Sequence, residues 1–354
     1  MDIFGWVDER RREYARRKDQ ERFDLASVFH RAHVWGETDP DRYVAELKAA
    51  KLLAQEMEEP FWSLYYQAFY LEGLIHYKRD FRDALDLAAQ CALAVQKPMF
   101  ANWPGRFLVY NTMLYAYVFV DAWGYEDSIR KFIAYMDREV PATPNHDRLV
   151  FLLRKTDFAM ECDRWEEARD LCYSHMPIAE ELGEPGYLYA IVSDLFRIEY
   201  ERGNWEEMIA FPEVLEDLNR NTTHPNYLAE SLAWRAAMAR RRGNEEMAQK
   251  RLTSAERRIA RVNGAPSREY FLALAAFHEL GNDFAAACAV RERELETYRD
   301  SGKFAHVAAI HIELCRMKKR LGSLTPQDVR EAQEAIRTLL KPALFRAKLE
   351  RAIA

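Results

Sequence analysis

The chain has 354 residues, of which 49% are apolar, 31% charged and 13% aromatic, and its net charge is −6. Gly and Pro together make up about 7% of it, against roughly 12% in average proteins, which excludes collagen-like, linker-rich and largely disordered chains. No uncharged apolar run reaches the roughly 18 residues of a membrane span, and the acidic balance argues against nucleic acid as a partner.

At the start of the chain, Met1–Gly36 is expected to form one or two helices. Ile3, Phe4, Trp6 and Val7 precede the basic run Arg10–Arg12, a short amphipathic end expected to dock on the chain's own first hairpin, the alternative being a partner or a membrane surface. Met1–Lys18 lacks an apolar stretch of signal-peptide length, which points to a cytoplasmic protein. Five well-separated cysteines (Cys91, Cys162, Cys172, Cys288 and Cys315) lie in apolar helical stretches. They read as buried free thiols in a reducing compartment.

Further along, the chain repeats itself. Asp80-Phe81-Arg82-Asp83-Ala84, Gly124-Tyr125-Glu126-Asp127-Ser128, Asp163-Arg164-Trp165-Glu166-Glu167-Ala168 and Gly203-Asn204-Trp205-Glu206-Glu207-Met208 read alike. Gly243-Asn244-Glu245-Glu246-Met247-Ala248 and Asn282-Asp283-Phe284-Ala285-Ala286-Ala287 continue the series, and a weaker copy begins at Tyr43. The marker position falls at 81, 125, 165, 205, 245 and 284. Prolines at 60, 98, 141, 185, 225 and 266 keep step with it, each placed where a helix has just ended.

A helix-length segment separates each proline from the next marker, and another separates each marker from the next proline. The unit is therefore a helical hairpin. First helices are expected over Trp62–Lys78, Phe107–Ala122 and Tyr187–Arg202, apolar on more than one face. Second helices such as Trp165–Leu182 show three-and-four apolar spacing and carry acids in their first turn, where the helix dipole favours them. Gly203 and Gly243 suit a tight interhelical turn. Pro177 and Pro212 fall inside second helices and are expected to kink or break them. Phe304–Leu321, Pro326–Leu340 and Pro342–Ile353 continue the helical pattern.

These residues resemble the tetratricopeptide repeat, whose turn reads Gly-x-aromatic-Glu-Glu-Ala and whose second helix is followed by proline. The period here, near 40, exceeds the family's usual 34, and Phe196 stands where that family places a small residue. The resemblance implies an all-α protein: an α-α superhelix, or solenoid, of seven to eight helical hairpins in one domain. Residues 1–39 would form an N-terminal helical cap, 40–302 the repeats, and 303–354 a last repeat with its capping helix.

A search for chemistry yields no catalytic motif. There is no phosphate-binding loop, no dinucleotide fingerprint, no Cys-x-x-Cys, no His-Glu-x-x-His and no serine elbow. Asp39/Asp41 and Asp80/Asp83 sit at helix starts as caps. His30 and His33 lie three apart without a third ligand, and His306 and His311 lie five apart, so no metal and no cofactor is assigned. The basic runs Arg10–Arg12, Arg16–Lys18 and Arg240–Arg242 read as solvated helix faces.

The resemblance implies that first helices line a concave face. It places Tyr66, His76, Tyr110, Tyr117, Asp121, Asp157, Arg197, Tyr200, Arg240 and Arg241 there as a partner-binding groove. The alternative is that the tyrosines pack between helices. The expected function is a non-catalytic adaptor or scaffold that binds a protein or peptide partner. A regulatory subunit responsive to a peptide or effector, and an all-helical enzyme with a site assembled across repeats, stand as the other readings.

Overall fold

The computed structural model describes residues 3–36, 39–78, 80–140, 145–183, 185–209, 214, 225–261 and 266–354. Eighteen helices are described and no strand is present among these residues. The fold is an all-α stack of helical hairpins. It divides into two compact units, one comprising residues 1–120 and 125–154, the other 121–124 and 155–354.

The first unit opens with three helices, α1 (Ile3–Arg17), α2 (Gln20–Ala26) and α3 (Val28–Ala32), rather than one or two. α4 (Pro40–Glu56), α5 (Pro60–Gly73) and α6 (Phe81–Val95) follow. α7 (Arg106–Asp121) supplies its residues up to 120, α8 (Glu126–Glu139) lies wholly inside, and α9 (His146–Glu161) contributes its residues up to 154. The amphipathic start docks on the unit itself, with Ile3 and Val7 buried. Trp6 meets Trp62 at 4.8 Å between ring centroids and Trp103 at 6.1 Å. The Trp62 indole N–H donates to the Tyr14 hydroxyl at 3.1 Å inside this aromatic core.

The second unit contains the rest of α9, then α10 (Trp165–Leu182), α11 (Pro185–Glu201), α12 (Pro225–Arg241) and α13 (Glu245–Ile259). α14 (Arg268–Leu280), α15 (Phe284–Tyr298), α16 (Phe304–Arg320), α17 (Pro326–Arg337) and α18 (Ala343–Ile353) complete it. Its main core combines large rings (Tyr189, Phe196, Trp234, Phe271, Phe277) with fully buried alanines on α12, α13 and α14. Phe196, large where the family has a small residue, packs against Trp234 at 5.1 Å.

The marker motif has a local cause. Asp163, Gly203, Gly243 and Asn282 all hold positive φ, between 55° and 74°. Gly carries no Cβ penalty there, and Asn and Asp tolerate the conformation best among the others. At each, the following N–H reaches back five residues: Arg164 to Ala159, Asn204 to Glu199, Asn244 to Ala239 and Asp283 to His278, each at 2.9 Å. This bond satisfies a carbonyl that the end of the helix would otherwise orphan. Asn244 and Asp283 then accept from the N–H groups of Met247 and Ala286 and so cap the next helix. One residue thus closes one helix and opens another.

The prolines act on the following element. Pro60, Pro185 and Pro225 open α5, α11 and α12, where a missing N–H costs nothing and the fixed φ is already helical. Pro177 does not break α10, which runs through it. The carbonyl it deprives, that of Tyr173, lies on a solvent-facing residue, so water can replace the lost donor. Pro212 lies outside the described residues.

Candidate binding site in the second unit

Burying a charge is costly unless it is paired and hydrogen-bonded, so a cluster of buried ions within a helical stack needs a reason. The second unit holds one, built from five helices. On α9, the Glu161 side chain is 12% exposed and its Oε1 lies 3.0 Å from Arg197 Nη2 of α11. Arg268, the first residue of α14, donates to the same Oε1 at 2.5 Å. Arg197 itself is 4% exposed, and its guanidinium lies 6.0 Å from the centre of the Trp165 ring.

A second knot lies on α15 and α16. Glu294, fully buried, accepts from Arg291 Nη1 at 2.6 Å and faces His306 Nε2 at 3.1 Å. The Tyr298 ring packs edge-on against the His306 ring at 4.9 Å. Arg268 ties the two knots electrically, since its charge acts on both Glu161 and His306.

The ionisation states follow from these neighbours. Burial alone would raise the Glu161 carboxyl, but Arg268 and Arg197 outweigh it and hold it far below the usual carboxylate range. Glu294 feels the same opposition and is held down to about 2, chiefly by Arg291. His306 is pulled down to about 4 by burial first and by Arg268 second, with Glu294 opposing. At neutral pH the cluster is therefore two carboxylates, three guanidiniums and a neutral imidazole. Fixed charges of this kind recognise ionic groups.

Only Arg197, among the ten residues placed in a groove from the sequence, belongs to this cluster. Tyr66 is a correction: it is completely buried, and its hydroxyl donates to the Leu25 carbonyl of α2, so it faces no groove. Tyr110 and Tyr117 pack within their own hairpin, on Phe132 of α8 at 6.1 and 6.2 Å. Asp121 is buried and accepts from the backbone N–H groups of Gly124 and Leu340, so it closes a turn and contributes no groove charge. Asp157 is half-buried on α9. The Tyr200 ring lies between Trp205 and Trp234.

Arg240 stacks 3.6 Å from the Phe277 ring centre and donates to the Phe277 carbonyl. Arg241 lines a polar cavity of about 340 Å³ with Arg169, Trp205 and Glu207. The His76 side chain lies outside the described residues. The sequence reading missed Glu161, Arg268, Arg291 and Glu294, and weighed His306 only as a metal ligand. One signal was present: Arg291 and Glu294 interrupt the apolar stripe that Ala287, Val290 and Leu295 continue on α15.

No helix among the described residues is long and apolar enough to cross a membrane. No protein-family model matches the chain, and no match to a curated protein is found. Among solved structures, the chain is similar to a Rap protein complexed with competence and sporulation factor, with a TM-score of 0.62 at 12% identity over 94% of this chain and 88% of that one. The fold is that of a tetratricopeptide-like repeat protein. A weaker likeness, with a TM-score of 0.33 and 13% identity over 87% of this chain and 59% of that one, is to the Cut9–Hcn1 hetero-tetramer of APC/C.

Proposed function

We propose that the chain is a non-catalytic binding protein whose repeats hold a protein or peptide partner along the inner wall of the second unit. One observation carries this reading. Glu161 and Arg268 stand on first helices three hairpins apart, yet share a hydrogen bond. Stacked hairpins ordinarily touch only their neighbours, so side chains this distant meet only where the stack curves inward. The inner wall of this unit is thus backed by buried charged groups, with Arg268 (19% exposed) and Glu161 (12% exposed) at its surface, which suits recognition of a polar, extended chain. Charges on such a wall set register and encounter rate more than raw affinity. A protein of the same fold was crystallised with a factor bound, which accords with this use of the architecture.

A regulatory role is the second reading, and one feature favours it. The Leu340 N–H bonds Asp121 across 219 positions, and Lys348 pairs with Asp163 across 185. These contacts close the end of the second unit on its own beginning, so an occupant of the wall would act on the closure.

Crosslinking mass spectrometry on the protein in its native cell tests both readings. Crosslinks from one specific partner to Lys155, Lys303 and their surroundings support the binding role. Loss of those crosslinks in an Arg197→Glu variant of unchanged helicity places the partner on this wall. Recovery of no specific partner, together with a measured turnover, overturns the proposal.

A further inference from the structure

α15 and α17 both pack against the stretch of α16 between them, and the three helices wall a cavity of about 210 Å³ that shares no residue with the ion cluster. Its floor is apolar and buried, formed by Leu295, Leu314 and the Cys315 thiol. Its walls carry carboxylates, Glu292 and Glu296 on α15, Asp328 and Glu331 on α17. At one end Lys318 of α16 bridges the walls, its Nζ 3.1 Å from Glu292 and 2.8 Å from Asp328. The cavity thus already seats one ammonium group, and it is the chain's own.

One helical turn further on, the walls repeat without that cation. Glu296 follows Glu292 by four residues and Glu331 follows Asp328 by three, spacings that keep each pair on one helix face. His311 stands seven residues before Lys318, on the same face of α16. Glu331 accepts from the Gln327 amide at 2.8 Å, and neither it nor Glu296 has an ion pair among the described residues. Burial above all lowers His311; Glu331 opposes it, and Arg299 and Lys318 add to it. The ring is therefore uncharged at neutral pH and can accept a hydrogen bond. With Lys318 and Arg299 counted, the four lining carboxylates keep two charges uncompensated.

From this repeat we propose that the cavity binds an alkylammonium ion, a primary ammonium on a short aliphatic stem, between Glu296, Glu331 and His311. The three N–H groups of the ammonium meet three acceptors, and the stem lies on Leu295 and Leu314, as lysine stems do on apolar surface. No group of three His, Cys, Asp or Glu side chains among the described residues is arranged to hold a metal ion, so the cation is organic. The cavity is smaller than the roughly 300 Å³ at which small-molecule pockets begin, which suits one linear amine. That amine is either a free aliphatic diamine or a lysine side chain of a protein partner.

The test titrates n-butylammonium, which copies a lysine side chain, into the full chain at constant pH and ionic strength. Binding is followed by the ring signal of His311, identified by its loss in His311→Gln. A saturable shift is expected, and none from tetramethylammonium, which has the same charge and no N–H donor. Glu296→Gln and Glu331→Gln alter exposed positions and should each weaken binding about fivefold; the double variant should abolish it. An equal response to the two cations, or unaltered binding in the double variant, overturns the proposal. Putrescine and the tripeptide acetyl-Ala-Lys-Ala-amide then separate the sources. Tighter binding of putrescine assigns the site to a free diamine, and tighter binding of the tripeptide to a partner's lysine. Binding of neither overturns the proposal. No arm of this test uses the wall around Glu161, so the ammonium site and the binding role proposed above fail separately.

Discussion

The two units answer the same architectural problem with different materials. The first is held by rings, with Trp6, Trp62, Trp103, Phe61 and Phe100 in one cluster. The second packs alanine-rich helices closely, with rings between them, and admits buried ions. Their marker turns differ as well, although Lys18 and Glu58 give the first unit the same positive-φ turn elsewhere. In the second unit four marker turns share one positive-φ geometry and one set of backbone bonds. In the first unit, α5 instead runs into a π-helical segment, Leu74–Lys78, before the marker at Asp80. A regular turn allows successive hairpins to be placed alike, and along this series Glu161 of α9 meets Arg268 of α14.

The largest effect expected from breaking this contrast is in the aromatic core. Trp62→Ala should cost about 3–5 kcal/mol by creating a cavity, read as a lower denaturant midpoint. Next comes Glu294→Ala, which leaves Arg291 buried without its carboxylate; about 3 kcal/mol is expected. A much smaller loss would mean that water reaches that knot and that it is not a buried pair.

Acid separates the units by sign. His306, held down to about 4, is neutral when folded, whereas its unfolded form takes up a proton near 6.5. Glu161 and Glu294 are likewise held low, so the second unit loses stability as pH falls below about 6.5, by ~1.4 kcal/mol per pH unit for each proton that differs. Glu72 in the first unit does the opposite: burial pushes it up to about 7 against the pull of Arg154. Its folded form holds a proton that the unfolded form releases near 4.5, so it costs stability as pH rises through that interval. Hydrogen exchange from pH 7 to 5 should show protection falling in α11, α14 and α16 and rising in α5. The same direction in both units would refute the contrast.

The smallest effect concerns the turns. Gly243→Ala should cost about 1 kcal/mol, because φ is +74° there. Asn282→Gly should gain a few tenths of a kcal/mol at the equivalent position. Both are read as shifts in melting temperature.

The contrast also explains what the sequence discloses. The forty-residue rhythm was legible because each turn is a local device: a left-handed residue, a cap and an acidic first turn, all within six positions. The first helices were legible for the same reason, bounded by an opening proline and a closing turn. The ion cluster was not, because its members are 36 and 107 positions apart and no local pattern ties them together. Tyr66 was misplaced because an aromatic ring at an inward register fits a groove or an interhelical seam equally well. Only the distant Leu25 carbonyl decides that it belongs to the core.

The hydrogen bond between Asp121 and Leu340 has a consequence for how the molecule is made. Trp123, beside it, packs into a cluster that includes Ala308, Ile336 and Phe345. On the ribosome, that indole emerges some two hundred residues before the helices that cover it, and most of the hairpins between can already have folded pairwise. Until α16 and the two helices after it arrive, the nascent chain leaves that tryptophan without the cover it has in the folded unit.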